Sequence, residues 1–287
     1  MTQNLDLTIV ILTLNEEANL PVALANVKGF ASAVMILDSY SNDATVAISE
    51  ANGATVFQRN FDDFSSQRKY ALEQLPIKTE WVLVLDADEY LSNELKAEIA
   101  SVVPTSSYDA YMMKRRFYWN GKWIKRGYYP TWLIRLGRVG LLTCDDRPIN
   151  EHLICKTDRV GKLFNDFIDY NRKGLSEWIA KHNAYSDREA QQLFKNEAPS
   201  EELSFLKSQY HRKRWLRYKI WNKLPAILRP FTLFFYRYII LGGILDGRHA
   251  LQYHFLHAFF YRYLIELKLK ELIRNKSINK VDGNKEF

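Results

Sequence analysis

Two cysteines, Cys144 and Cys155, are all that this 287-residue chain contains. They cannot build a disulfide framework and lack the paired spacing of a zinc site, so free thiols in a reducing compartment are expected. Glycine-rich phosphate cradles are missing too. Neither GxGxxG nor GxxxxGK[ST] occurs, which removes the ordinary dinucleotide and P-loop readings, whose glycines let backbone close on a phosphate. Between residues 203 and 270 no apolar run approaches the roughly 18 to 20 uncharged residues of a spanning helix. The longest there, Tyr238 to Leu245, has eight residues. The opening MTQNLDLTIVILTLNEE has no basic segment ahead of its short apolar run and meets two glutamates directly after it. It is read as a core strand, not an export signal. Internal repeats and low-complexity tracts are also absent.

Acid is unevenly distributed. Residues 1–100 hold 15 Asp+Glu against 6 Lys+Arg, a balance of −9, so a chain of net charge +7 carries +16 on its remainder. From Leu203 to Leu245 there are nine Lys or Arg and no acid, interleaved with Trp215, Trp221, Phe231, Phe234, Phe235, Tyr236 and Tyr238. The two parts are set to meet different partners. An apolar content of 47% is ample for a folded core.

What is present in the first hundred residues is an alternation of strands and helices. Leu7 to Leu12 is a continuous apolar run, and Thr13 with Glu16 three residues on predicts a capping box for a helix through Leu20, Leu24 and Val27. Pro21 falls in its first turn, where it is tolerated. Strands follow at Ala33 to Leu37, Ala54 to Phe57 and Trp81 to Leu85, with helices through Val46 and Ile48 and over Ser65 to Leu75. This order predicts an α/β fold with a mostly parallel sheet covered on both faces. Ligands of such sheets bind beyond the carboxyl ends of the strands. Three of those ends carry polar clusters: Thr13-Leu14-Asn15-Glu16, Asp38-Ser39-Tyr40-Ser41 and Asp86-Ala87-Asp88.

The last cluster ends WVLVLDADE. If extended geometry persists past Leu85, Asp86 and Asp88 point the same way and can share a divalent cation. Mg²⁺ is typically held by one or two carboxylates plus substrate phosphates, so the pair suggests phosphate chemistry. The alternative is an acidic turn capping the next helix. From Tyr108 the pattern becomes extended, aromatic and basic, with Asn120-Gly121 predicting a hairpin. Ser176 to Phe194 is again helical, and the end reads as helices interrupted at Pro225, Pro230 and Gly242-Gly243.

As a set, TLNEE, DSYSND, QRKYAL and DADEY resemble the inverting glycosyltransferases of family 2, which have the GT-A fold. Within that family the closest likeness is to bacterial enzymes that extend lipopolysaccharide core or other surface polysaccharides. The resemblance covers roughly residues 5–200 and divides the chain into a catalytic domain over 1–202 and a basic, aromatic helical region over 203–287. Residues 1–103 would bind the nucleotide-sugar and 104–202 the acceptor. The resemblance implies that Thr13, Asn15, Glu16 and Asp38 contact the nucleoside of a donor, a UDP-sugar in the first instance, and that Arg68 lies near the nucleotide. Asp86 would approach the ribose or metal-bound water, Asp88 would ligate Mg²⁺ or Mn²⁺ at the diphosphate, and Arg135 would stand near that diphosphate. Metal and cations neutralise the leaving group as the glycosidic bond breaks. Inversion also needs a base opposite the leaving group. The candidate is Glu151, in Arg147-Pro148-Ile149-Asn150-Glu151-His152, with Asp145 and Asp146 as competitors. Many family members carry a Glu-Asp pair where this chain has Asn-Glu-His.

Each bland reading is concrete. Glu16 would only close its capping box, Arg68 would be a solvated helix-surface arginine, and Glu151 a solvated loop glutamate. Cations beside Phe, Tyr, Leu and Ile in the last third suit helices lying on an anionic leaflet. That implies a cytoplasmic protein, peripheral on the inner membrane face, acting on a lipid-linked or lipid A-attached saccharide. A packing appendage or homo-oligomer interface is the alternative, and nucleic acid is not expected. A nucleotidyltransferase would advertise a basic glycine-rich loop after the first strand, where this chain has acidic TLNEE. A scaffold with a degenerate transferase domain would keep the fold and bind no donor.

Overall fold

The structure, a computed structural model, describes residues 5–145, 152–195 and 224–282. It divides into two compact units, Met1–Gly174 and Leu175–Phe287. The first ends earlier than residue 202, because the helix expected over 176–194 belongs with the C-terminal helices.

In the first unit nine strands form one mixed sheet. β1 (Leu5–Thr13), β2 (Ala31–Asp38), β3 (Thr55–Gln58) and β4 (Trp81–Asp86) are parallel in the order β3-β2-β1-β4. The sheet continues through β8 (Thr131–Arg138), antiparallel to β4, then β6 (Ala110–Trp119), β11 (Val160–Asp169) and β5 (Glu89–Leu91). β7 (Lys122–Trp123) pairs back on β6, with Asn120 and Gly121 at φ 46° and 71°, the left-handed pair that a two-residue hairpin requires. A separate hairpin joins β9 (Leu142–Cys144) to β10 (Leu153–Cys155).

Side-chain alternation splits the core in two. Leu7, Ile9, Ile11, Leu83, Leu85 and Phe167 face one way, against α1 (Leu20–Val27) and α4 (Asn93–Val102). Helix α1 presents Leu20, Ala23, Leu24 and Val27, the spacing of one helical stripe. Val10, Leu37, Val82 and Val84 face the other way, against Ala71 and Leu72 of α3 (Phe64–Glu73) and against the β9–β10 hairpin. α2 (Thr45–Ala51) follows β2. Both cysteines are free thiols, Cys144 buried and Cys155 half-buried.

The expected capping box does not form. Asn19 is the N-cap of α1 and makes no side-chain cap bond, while the Thr13 hydroxyl turns to Asp38. Nor do Asp86 and Asp88 cap a helix: Ser92 caps α4, accepting from the Leu95 amide at 3.1 Å. β4 ends at Asp86, so strand alternation does not carry through to Asp88, and a turn separates the two carboxylates.

The second unit comprises α5 (Gly174–Phe194), α6 (Leu228–Phe235) with a π-helical turn over Tyr236–Ile240, α7 (Arg248–His254) and α8 (Tyr261–Asp282), entered through a π-helical turn over Phe255–Phe260. Ala190 of α5 packs on Tyr261 and Ile265 of α8. Glu189, nearly buried, accepts from the Tyr261 hydroxyl at 3.0 Å and from Arg262 at 2.5 Å. Arg229 of α6 pairs with Glu266 of α8 at 2.9 Å. Pro230 does not interrupt its helix: it sits in the first turn of α6, where its missing N–H has no intrahelical partner to lose. The break comes at Gly242-Gly243 and each glycine is needed differently. Gly242 adopts φ 74°, and a Cβ on Gly243 would stand 2.5 Å from the His254 ring.

Candidate active site

Strand register alone builds one rim. Thr13 pairs with Asp38, Asp38 with Gln58, and Leu12 with Asp86, so the carboxyl ends of four parallel strands stand at one level.

Asp38 is fully buried at this rim. One carboxylate oxygen accepts from the hydroxyls of Thr13 at 2.8 Å and Ser41 at 2.5 Å. The other accepts from the Ser41 amide at 2.8 Å and the Gln58 amide group at 3.3 Å. A carboxylate offers about four lone-pair positions, and these contacts use them. The buried charge is therefore satisfied within the fold, by Ser41 of its own loop and by Thr13 and Gln58 of the neighbouring strands. The loops after β1 and β2 are stitched together in the same way. The Asn15 amide donates to Ser41 Oγ, and the Asn42 amide to Asn15 Oδ1, both at 2.8 Å. Asn15 and Tyr40 take φ 55° and 59° here. Left-handed backbone is unusual for tyrosine, whose ring is half exposed at the rim.

Glu16 lies beside this loop but faces elsewhere. Its carboxylate accepts from Asn19 at 2.8 Å and Lys173 at 2.7 Å, and burial holds its pKa above the usual carboxylate value.

At the β4 end, Asp86 receives two bonds from Arg68, at 2.7 and 3.1 Å, and one from Arg135 at 3.1 Å. Arg68 is 4% exposed, so it is a buried partner and not a solvated helix-surface group. Arg135 also donates to Glu89 at 2.6 Å, and Glu89 accepts from the Asp86 amide at 3.0 Å. Burial pushes Glu89 up to about 7 despite the attraction of Arg135. Helix α3 thus supports the site twice. It supplies Arg68 to Asp86, and its Ser65 donates to the Asp145 carbonyl at 2.5 Å. Asp145 and His152, the described residues on either side of 146–151, bond to each other. Glu151 and Asp146 lie outside the described residues.

A fifth strand end joins the rim without having been expected. β11 delivers Asp169-Tyr170-Asn171-Arg172-Lys173, the last four of which bond to the loops after β1 and β4. The Asp88 carboxylate accepts from Asn171 at 3.1 Å, and the Asp88 carbonyl from the Tyr170 amide at 2.9 Å. The Arg172 amide reaches Asn19 at 2.8 Å, and Lys173 reaches Glu16. Asp169 pairs weakly with Arg115 at 3.4 Å. Burial, with the charge of Asp88 second, pushes Asp169 up to about 8. The available signal was weaker: LFNDFI followed by DYNRK ends in a polar cluster but is interrupted by Asn165 and Asp166.

Among the described residues no group of three or more His, Cys, Asp or Glu is placed to hold a metal ion. Asp88 and Asp169 are two carboxylates whose mutual repulsion a dication would relieve. That donor set fits a metal completing its shell with phosphate oxygens and water. Behind the rim, buried Asp166 gathers Arg116 at 2.8 Å, Lys114 at 3.5 Å and the Tyr129 hydroxyl at 3.2 Å.

The profile for Glycosyl transferase family 2 matches residues 8–146. An uncharacterised glycosyltransferase of Rickettsia typhi is 31% identical over 201 residues, covering 64% of this chain and 67% of the relative. One of Rickettsia felis is 29% identical over 201 residues, covering 64% and 69%. The chain thus spans about two thirds of the length of these relatives. Among solved structures, Staphylococcus aureus TarS 1–349 in complex with UDP-GlcNAc superposes with a TM-score of 0.49 at 15% identity, over 94% of this chain and 92% of that one.

Proposed function

The chain belongs to glycosyl transferase family 2, and on that premise we propose that it transfers a sugar with inversion from a UDP-linked donor to a lipid-linked or lipid A-attached saccharide of a bacterial envelope. The observation that carries this reading is the single rim of Asp38, Asp86 and Asp88, with Asp169 brought beside Asp88. One end of the rim is neutralised and preshaped. The other concentrates carboxylates beside arginines, where a charged diphosphate would be read.

In this reading the Asn15 and Ser41 loops cradle the nucleoside, with Asp38 acting through the loop it holds, and the exposed Tyr40 ring offers a face to the base. Asp86 is clamped by Arg68 and Arg135, which fix the direction of its carboxylate beside the ribose. Asp88, with Asp169, would hold Mg²⁺ or Mn²⁺, which when bound supplies charge neutralisation for the leaving diphosphate. Glu151 accepts the proton of the attacking hydroxyl.

Thermal shift of the full chain with UDP, with and without Mn²⁺, tests the donor half, because a ligand at about 100 times its Kd stabilises by ~2.7 kcal/mol. Mn²⁺-dependent stabilisation is expected, and Asp88→Asn should lose it. Glu151→Gln should retain it while abolishing transfer to an envelope saccharide extract. A chain that UDP never stabilises is a scaffold with a transferase fold.

A further inference from the structure

The active-site reading leaves the second unit without a task, and its surface is unusual for a polar solvent. Ile227, Phe231, Phe235 and Ile239 follow one another at intervals of four along α6 and its π-helical turn, and all are exposed. They form one outward stripe, the reverse of the usual burial of such a face. Ile240 and Leu245 at the turn are 61% and 71% exposed. The patch extends sideways: Phe231 meets the Phe259 ring at 4.7 Å, and Phe259 stacks at 5.4 Å on Phe255, which is itself exposed. Contiguous exposed apolar surface of this kind marks an interaction face.

Charge identifies the occupant. No Asp or Glu occurs from Leu203 to Leu245, against nine Lys or Arg, and Arg248 just beyond the turn is exposed. Seven of those nine cations fall at 207–223, outside the described residues, and Arg229 is held by Glu266. That ion pair instead braces α6 on α8 beneath the stripe. No helix among the described residues is long and apolar enough to cross a membrane. An apolar ridge too short to span, in a stretch of sequence rich in Lys and Arg and with Arg248 exposed beside its turn, matches the interface of an anionic lipid leaflet.

We infer that the Ile227–Leu245 face docks this protein on an anionic bilayer surface, with the turn at Ile240 to Leu245 entering the acyl boundary. The two glycines serve this directly: the close approach of Gly243 to His254 keeps the turn tight, so its isoleucines and leucines project together. Docking here is independent of donor chemistry.

The test uses the full chain and vesicles of phosphatidylglycerol mixed with phosphatidylcholine, or of phosphatidylcholine alone. Co-sedimentation with the mixed vesicles is expected, weakening with salt by about fivefold for each cation screened. The double variant Ile240→Asp/Leu245→Asp should keep its melting curve and its UDP response but lose vesicle partitioning by at least about tenfold. Unchanged partitioning of the variant overturns the inference, and equal partitioning onto phosphatidylcholine alone overturns the anionic assignment. A dimer seen by light scattering that dissolves in the variant, with neither protein retained by vesicles, makes this face an interface between copies and also overturns it. Vesicle binding without a UDP response would refute the donor reading and leave docking intact.

Discussion

The two units both bury carboxylates beside arginines, yet they use the pairing differently. In the first unit Asp86, Asp88, Glu89 and Asp169 crowd one edge, and their cations Arg68, Arg135 and Arg115 leave Glu89 and Asp169 with pKa values of about 7 and 8. In the second, Glu189 with Tyr261 and Arg262, and Glu266 with Arg229, join one helix to another. A crowded edge holds unrelieved repulsion that a ligand can discharge, whereas a one-to-one brace is already satisfied. Substitutions should therefore separate function from stability in opposite senses.

The largest separation is expected at Asp88. Asp88→Asn should lower metal-dependent turnover by about 10³-fold while leaving the melting temperature equal or higher, because it removes one charge from the crowd. A matching fall in stability would make Asp88 a brace and erase the contrast. Next, Arg262→Met leaves Glu189 buried without its cation and should cost about 3 kcal/mol in urea unfolding, with UDP affinity unchanged. Lost UDP affinity in that variant would break the contrast from the other side. Asp38→Asn tests the neutralised end of the rim. Its amide group would oppose the Ser41 N–H, costing about 1–2 kcal/mol and weakening UDP binding through the loop, as isothermal titration would read.

The last prediction concerns pH. Burial lowers His182, stacked on Trp178 in α5, to about 4, against an ordinary value near 6.5. The native state keeps it neutral while the unfolded chain takes up a proton. Its contribution to stability is therefore whole above about pH 6.5 and declines as pH falls toward about 4. His182→Gln should flatten the melting temperature of the second unit across that window and leave the first unit's profile as it was.

The parallel strands were legible because each is an apolar run closed by polar residues. The hairpin was legible because Asn120-Gly121 is a local requirement of backbone handedness. The capping box was misread for an equally physical reason. Thr13 and Glu16 have the right spacing, but a strand-end hydroxyl facing a buried Asp38 gains more from a charge-assisted bond than from a helix amide. Arg68 could not be assigned from its helix alone, since burial depends on what α3 covers. The place of Asp169 to Lys173 at the rim is not legible in chain order, since the Asn171–Asp88 bond joins residues 83 apart in sequence.

By itself the sequence determined the alternation of strands and helices, the acidic rim and the basic, aromatic end, since these follow from periodicity, turn chemistry and composition. Only the tertiary structure decided which charges meet. Sheet register set Asp38 level with Thr13, the return of β11 put Asp169 beside Asp88, and the packing of α6 on α8 consumed Arg229 while leaving Ile240 and Leu245 outside. Coulomb interaction and desolvation depend on distance and burial in three dimensions, and neither quantity is written in chain order.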